Sequence, residues 1–180
     1  MSVNNRYSTT AIIFHWLMAI LIFVALAMGL YMVDLRISPD KLKLYAWHKW
    51  IGVTVFVLAA FRLWWRLYQP PPPPPAMPHW QLVAANVTHY FFYALFFLIP
   101  ISGWLFSSAK GFQTVYLGII PLPDLIDKND EIAPIIKSVH MYAGYLLGGL
   151  LALHTAAALK HQFMDKDGLM QRMNPLQRRK

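Results

Sequence analysis

Cysteine is absent from the 180 residues, which excludes disulfides, thiolate-held iron–sulfur clusters, covalent c-type haem and every cysteine zinc site. Charge is scarce as well: 13% of residues are Asp, Glu, Lys or Arg, about half the share that a water-soluble domain carries. The chain is instead 57% hydrophobic, with a mean hydropathy of +0.40. A chain this long can bury a core in water, yet its apolar residues fall into long unbroken runs rather than amphipathic stripes. The net charge of +8 suits either nucleic acid or a membrane surface, and the hydropathy decides for membrane lipid and against nucleic acid.

No internal repeat is present, and four candidate spans cover about residues 10–33, 44–68, 83–109 and 138–160. A helix needs about 20 apolar residues to cross the hydrocarbon core. The second span has an uncharged centre only from Trp50 to Phe61, flanked by Lys49, Arg62 and Arg66. Long basic side chains snorkel from both ends to the interface and restore its length. The first span is not a cleaved signal peptide, because its apolar run is too long and no small-residue cleavage site precedes the polar stretch Asp34 to Asp40. These features predict an all-α integral membrane four-helix bundle, a single domain over residues 1–180, with both termini on one side.

Placing the termini inside puts nine basic residues there, including Arg6, Arg62, Arg66, Lys160 and the tail Arg178, Arg179 and Lys180, against seven outside. That modest positive-inside bias makes both termini cytoplasmic. The loop 69–82 is then cytoplasmic. Its unbroken Pro70 to Pro75 run excludes helix and central strand and predicts a stiff polyproline II spacer that terminates span 2. On the other side, loop 110–137 carries an apolar piece, Val115 to Leu122, readable as an interfacial cap over the bundle or as an irregular loop.

Ionisable residues inside spans are costly, so each is a functional candidate. Five of the seven histidines fall in spans: His15, His48, His89, His140 and His154. His140 and His154 are 14 residues apart, close to four whole turns, so they share a face about 21 Å apart along the axis. No single metal ion reaches both. Each has a partner at matching depth, His48 with His140 outside and His15 with His154 inside. Two protein ligands per level suit the axial positions of a haem, whereas zinc or copper wants three or four converging ligands. His89 shares the inner level, so three histidines compete there for two positions, and spacing alone does not choose. The bland reading of any one of them is a helix–helix hydrogen bond. His79, in the proline-rich loop, reads as a solvated interface residue.

Arg62 lies 14 residues after His48, on the same face, and reaches the inner level. It can pair with a haem propionate there or simply snorkel. Lys49 and Lys137 are placed for the equivalent role outside. The seven tryptophans read as interface belt, and Gly29, Gly103, Gly144 and Gly148 as sites of close helix or haem approach.

The segments Phe14-His15-Trp16-Leu17, His48-Lys49-Trp50-Ile51-Gly52, Ile101-Ser102-Gly103-Trp104 and Leu159-Lys160-His161-Gln162-Phe163, followed by Asp165-Lys166-Asp167, resemble the bacterial cytochrome b561 family over nearly the whole chain. The resemblance implies a four-helix protein of the bacterial inner membrane with two haem b groups; with both termini cytoplasmic, loop 110–137 is periplasmic. It implies His15, His48, His140 and His154 as the iron ligands, which sets His89 aside. The family includes a superoxide oxidase that passes electrons to ubiquinone. Lys160 and His161 are thereby implied in a quinone pocket, although Gln162 stands where the family often has a second histidine.

The expected function is transfer of electrons across the inner membrane to or from the quinone pool, with superoxide as a possible donor. Lys49 and Lys137 are the candidates for steering that anion. Bis-histidine ligation leaves no open iron position, which suits electron carriage. The alternatives are a cytochrome b subunit fed by a periplasmic dehydrogenase or hydrogenase, a non-redox transporter using span histidines, and an assembly factor. The last two would be colourless.

Overall fold

The computed structural model describes residues 6–176; the basic residues Arg178, Arg179 and Lys180 lie outside that range. Four long helices dominate it: α1 Thr9–Val33, α2 Pro39–Tyr68, α3 His79–Ala109 and α4 Ala133–Lys160. All four are long and apolar enough to cross a membrane, and together they form an all-α four-helix bundle. Helix α1 packs on α2, α2 on α3 and α3 on α4. An apolar cavity of about 370 Å³ lies between α1 and α4, lined by Phe23, Leu26, Gly148, Leu151, Thr155 and Leu159 among others.

The helices begin before the apolar runs because polar caps start them. Ser38 caps α2 by accepting from the Lys41 N–H at 3.2 Å, and Pro39 and Asp40 occupy its first turn, where a preset φ and a negative charge both favour a helix start. Ser8 caps α1 in the same way and also accepts from the Trp65 indole at 3.0 Å, tying α1 to the end of α2. Asn129 accepts the backbone N–H groups of Glu131 and Ile132 just ahead of α4. The core of the bundle is a layer of Met18 and Ile22, Val55 and Ala59, Phe92, Leu95 and Phe96, and Ala143 and Leu147. In sequence it falls between the two histidine levels on α1, α2 and α4.

The proline run is not a free spacer. Arg172 donates to the Pro73 carbonyl at 2.8 Å, Arg6 to the Asn174 carbonyl at 2.7 Å, and the Trp16 indole to the Met173 carbonyl at 2.8 Å. The proline loop, the start of α1 and the C-terminal segment thus close one end of the bundle, called here the terminal end.

At the opposite, loop end, residues 110–132 carry a short antiparallel hairpin, β1 Val115–Tyr116 and β2 Ile120–Pro121. Its turn holds Leu117 and Gly118 at φ 53° and 73°, a reversal that glycine makes cheaply and leucine does not. The hairpin is fastened to the helices. Trp50 donates to the Val115 carbonyl at 2.7 Å, Thr54 and Tyr116 share a hydrogen bond at 3.0 Å, and Trp104 donates to the Pro123 carbonyl at 3.0 Å.

Candidate functional site

The histidines gather at two levels. Near the loop end the rings of His48 and His140 have centres 6.1 Å apart. Near the terminal end those of His15 and His154 are 6.3 Å apart. An iron between two imidazole nitrogens, with each bond about 2 Å, places the ring centres roughly 6 Å apart. Both pairs meet that spacing. His89 meets it as well, its ring centre lying 6.2 Å from that of His154, so the inner level holds a three-histidine cluster.

The surroundings of the His48–His140 pair suit ligation. The His140 Nδ1 lies 2.9 Å from the Ile99 carbonyl oxygen. A carbonyl only accepts, so Nδ1 carries the proton and Nε2 keeps a free lone pair, the tautomer a metal requires. Pro100, next along α3, supplies no N–H to the helix ladder and loosens this turn. The Ser102 hydroxyl accompanies the ring at 3.3 Å. The His48 Nδ1 is buried, and the ring has the Ala25 backbone carbonyl beside it. Glycines make room for both rings: a Cβ on Gly103 would stand 2.9 Å from His140 Cε1, and one on Gly29 would stand 3.4 Å from His48 Cε1. This donor set fits a haem.

At the inner level the Arg62 guanidinium reaches His15, with Nη2 at 3.4 Å from Nδ1. A guanidinium only donates, so this contact leaves the proton of a neutral His15 on Nε2. Ligation through Nε2 requires Arg62 to turn to another acceptor, and a haem carboxylate is one. Phe92 packs edge-on against His154 at 5.5 Å. The level fits a haem through His154 with either His15 or His89 opposite. His79 starts α3 and takes no part in either level.

Just beyond α4, Lys160 and His161 belong to a second cluster at the terminal end. His161 Nδ1 lies 2.6 Å from Asp167 Oδ2 and 3.2 Å from Asp165 Oδ2, and Lys160 pairs with Asp165 at 2.5 Å. The Asp167 carboxyl is held below the usual carboxylate range: burial acts to raise it but is outweighed by the Leu169 N–H together with His161. Sequence reading gave Lys160 and His161 a role and noted the two aspartates only as part of the C-terminal segment that carries the resemblance. The i,i+4 spacing from His161 to Asp165 was a usable signal. Asp167 had no spacing signal, because it is brought back only by a π turn over His161–Asp165 and by Lys166 in the left-handed conformation, φ 52°.

On the loop end the two candidate steering lysines differ. Lys49 Nζ donates to the Ser107 hydroxyl at 3.1 Å and to the Phe112 carbonyl at 3.4 Å, so it anchors the outer loop. Lys137 is exposed on α4.

The comparisons agree with this architecture. The family model of prokaryotic cytochrome b561 matches residues 6–175. Cytochrome b561 homolog 2 of Escherichia coli K12 is 34% identical, covering 96% of this chain and 95% of its own. Cytochrome b561 homolog 1 of the same strain is 35% identical over 95% and 98% of the two chains. The probable superoxide oxidase CybB of Yersinia pestis is 29% identical over 98% and 99%. A match across almost all of a chain whose helices α1, α2 and α4 carry paired histidines leaves one assignment: the chain belongs to the prokaryotic cytochrome b561 family.

Proposed function

We propose that the protein holds two b haems, His48 with His140 and His15 with His154, and moves electrons across the bacterial inner membrane from superoxide to ubiquinone. Family membership makes it a multi-pass membrane electron-transfer protein with haem b. The number of haems, their ligands, the donor and the acceptor are the proposal. The observation that carries it is the pairing of imidazoles at two depths with ring centres 6.1 and 6.3 Å apart. Haem bound between two imidazoles supplies a one-electron carrier with no open iron position. Choosing His15 over His89 rests on the resemblance of the Phe14-His15-Trp16-Leu17 segment, since the ring distances are equivalent.

The residues then have distinct tasks. The Ile99 carbonyl fixes the tautomer of His140, and Gly103 and Gly29 leave the rings their space. With haem bound, Arg62 would turn from His15 to pair with a propionate. The layer of Met18, Ile22, Val55, Phe92 and Leu147 keeps water out between the two levels. With the termini cytoplasmic, the outer loop is periplasmic, and Lys137 lends a positive field to attract an anion there. Lys160 and His161 border the quinone site at the cytoplasmic surface. The probable superoxide oxidase relative supports superoxide as the donor.

Mixing purified protein with superoxide and a ubiquinone analogue tests the reading. Reduction of the b-type α band, followed by reoxidation on adding the quinone, is the expected result. A haem spectrum that superoxide leaves oxidised, while a periplasmic dehydrogenase or hydrogenase reduces it, would replace superoxide with a protein donor. Colourless protein would replace electron transfer with transport or assembly.

A further inference from the structure

Reducing a quinone to a quinol takes two electrons and two protons. Two superoxide anions supply the electrons, each leaving as dioxygen, and the protons must come from the protein or the water beside it. The terminal end has a group suited to that task. His161 has its side chain 13% exposed, and its Nδ1 faces two carboxylates, Asp167 at 2.6 Å and Asp165 at 3.2 Å. Carboxylates accept, so Nδ1 carries a proton and Nε2 is the nitrogen left to exchange one with a substrate. Asp167 Oδ1 is itself held by the Leu169 N–H at 2.9 Å. Lys160 already neutralises Asp165 at 2.5 Å, which leaves Asp167 as the carboxylate available to the ring. The local backbone is unusual on both sides of the dyad, with a π turn over His161–Asp165 and a left-handed Lys166, irregularities that concentrate at functional positions.

A second observation comes from the cavity behind it. Asp167 and Gly168 line a polar space of about 480 Å³, walled by Pro73 to Pro75 on one side and by Arg6, Gln171 and Arg172 on the other. One carboxylate therefore touches both the imidazole and a space wide enough for water. Arg6 and Arg172 are the cations facing that space, and Lys160 and Asp165 are the charged groups beside the ring.

We infer that Asp167 is a positioning residue for His161, which delivers protons to the quinone. The inference rests on the quinone reading above. In each transfer the Nε2–H bond of the imidazolium breaks and an O–H bond forms at a quinone oxygen. Asp167 keeps the proton on Nδ1 throughout, as the buried aspartate does in a serine-protease triad. Solvent at the exposed edge of the ring, whose side chain is 13% accessible, then returns a proton to Nε2. Two such transfers balance the two electrons.

The test compares wild type, Asp167→Asn and Asp167→Glu as haem-loaded proteins, reduced and then mixed with either a ubiquinone analogue or ferricyanide, which takes no proton. In Asp167→Asn, reoxidation by the quinone should slow tenfold or more, with half-saturating quinone within about twofold of wild type. Reoxidation by ferricyanide should be unchanged, and Asp167→Glu should recover most of the loss. ¹⁵N-histidine NMR should show His161 as the Nδ1–H tautomer in wild type and as a mixture in Asp167→Asn. A wild-type quinone rate in Asp167→Asn overturns the inference. Should that variant fail to hold haem, wild type decides: reoxidation by quinone should slow at least twofold in D₂O and reoxidation by ferricyanide should not, and equal quinone rates in both solvents overturn the inference. Wild-type protein that ferricyanide reoxidises and quinone does not overturns the quinone reading itself.

Discussion

Gly103 on α3 faces the ring of His140 on α4 so closely that a Cβ would stand 2.9 Å from Cε1 and 3.1 Å from Nδ1. The same ring is held from α3 by the Ile99 carbonyl at 2.9 Å. Helix α3, which carries neither residue of the outer pair, therefore fixes how one of them points. Gly103→Ala should displace the imidazole and cost about 1–3 kcal/mol through overpacking. The outer haem should be lost or its α band shifted, with the inner haem unchanged. Optical spectra of the variant at matched haem loading check this.

His154 has two neighbours at nearly one distance, His15 at 6.3 Å and His89 at 6.2 Å. With His15 as the ligand, His15→Ala should leave one haem per chain and His89→Ala two. The reverse result, by haem extraction and quantification, would move the inner ligand to α3.

The loop-end lysines separate by what they touch. Lys49→Met removes donors to Ser107 and Phe112. It should destabilise the attachment of the outer loop by about 1–3 kcal/mol, seen as faster hydrogen exchange over residues 110–125. Lys137→Glu should leave exchange unchanged and slow haem reduction by superoxide severalfold at low salt, with the difference shrinking as ionic strength rises.

The depressed Asp167 carboxyl sets a pH dependence. A group whose folded value lies below its ordinary value of about 4 favours the folded state above that ordinary value. The contribution is lost as pH falls through the lowered folded value. Wild type should melt above Asp167→Asn near neutral pH, and the gap should close below about pH 4. Thermal unfolding of both proteins across that range checks the sign.

Much of this was legible in the sequence, for physical reasons. Lipid demands long charge-free segments, so four spans could be counted from composition alone, and the 14-residue spacing of His140 and His154 translated directly into two levels on one face. Features set by tertiary contact were not. The first turn of α2 is polar, and the first turn of α4 is cut off from its apolar run by Lys137, so their starts depend on Ser38 and Asn129. The proline run reads as a spacer until Arg172 is seen to hold the Pro73 carbonyl. Lys49 reads as a free cation until the outer loop folds back over it. Asp167 reaches His161 only through a π turn that no residue pattern announces.

The central claim is two haems held by paired histidines at two depths, and haem stoichiometry tests it most directly. Pyridine haemochromogen assays of wild type, His48→Ala and His140→Ala should return two b haems per chain for wild type and one for each variant, with the same inner spectrum surviving in both. One haem in wild type, or two in His140→Ala, would contradict it.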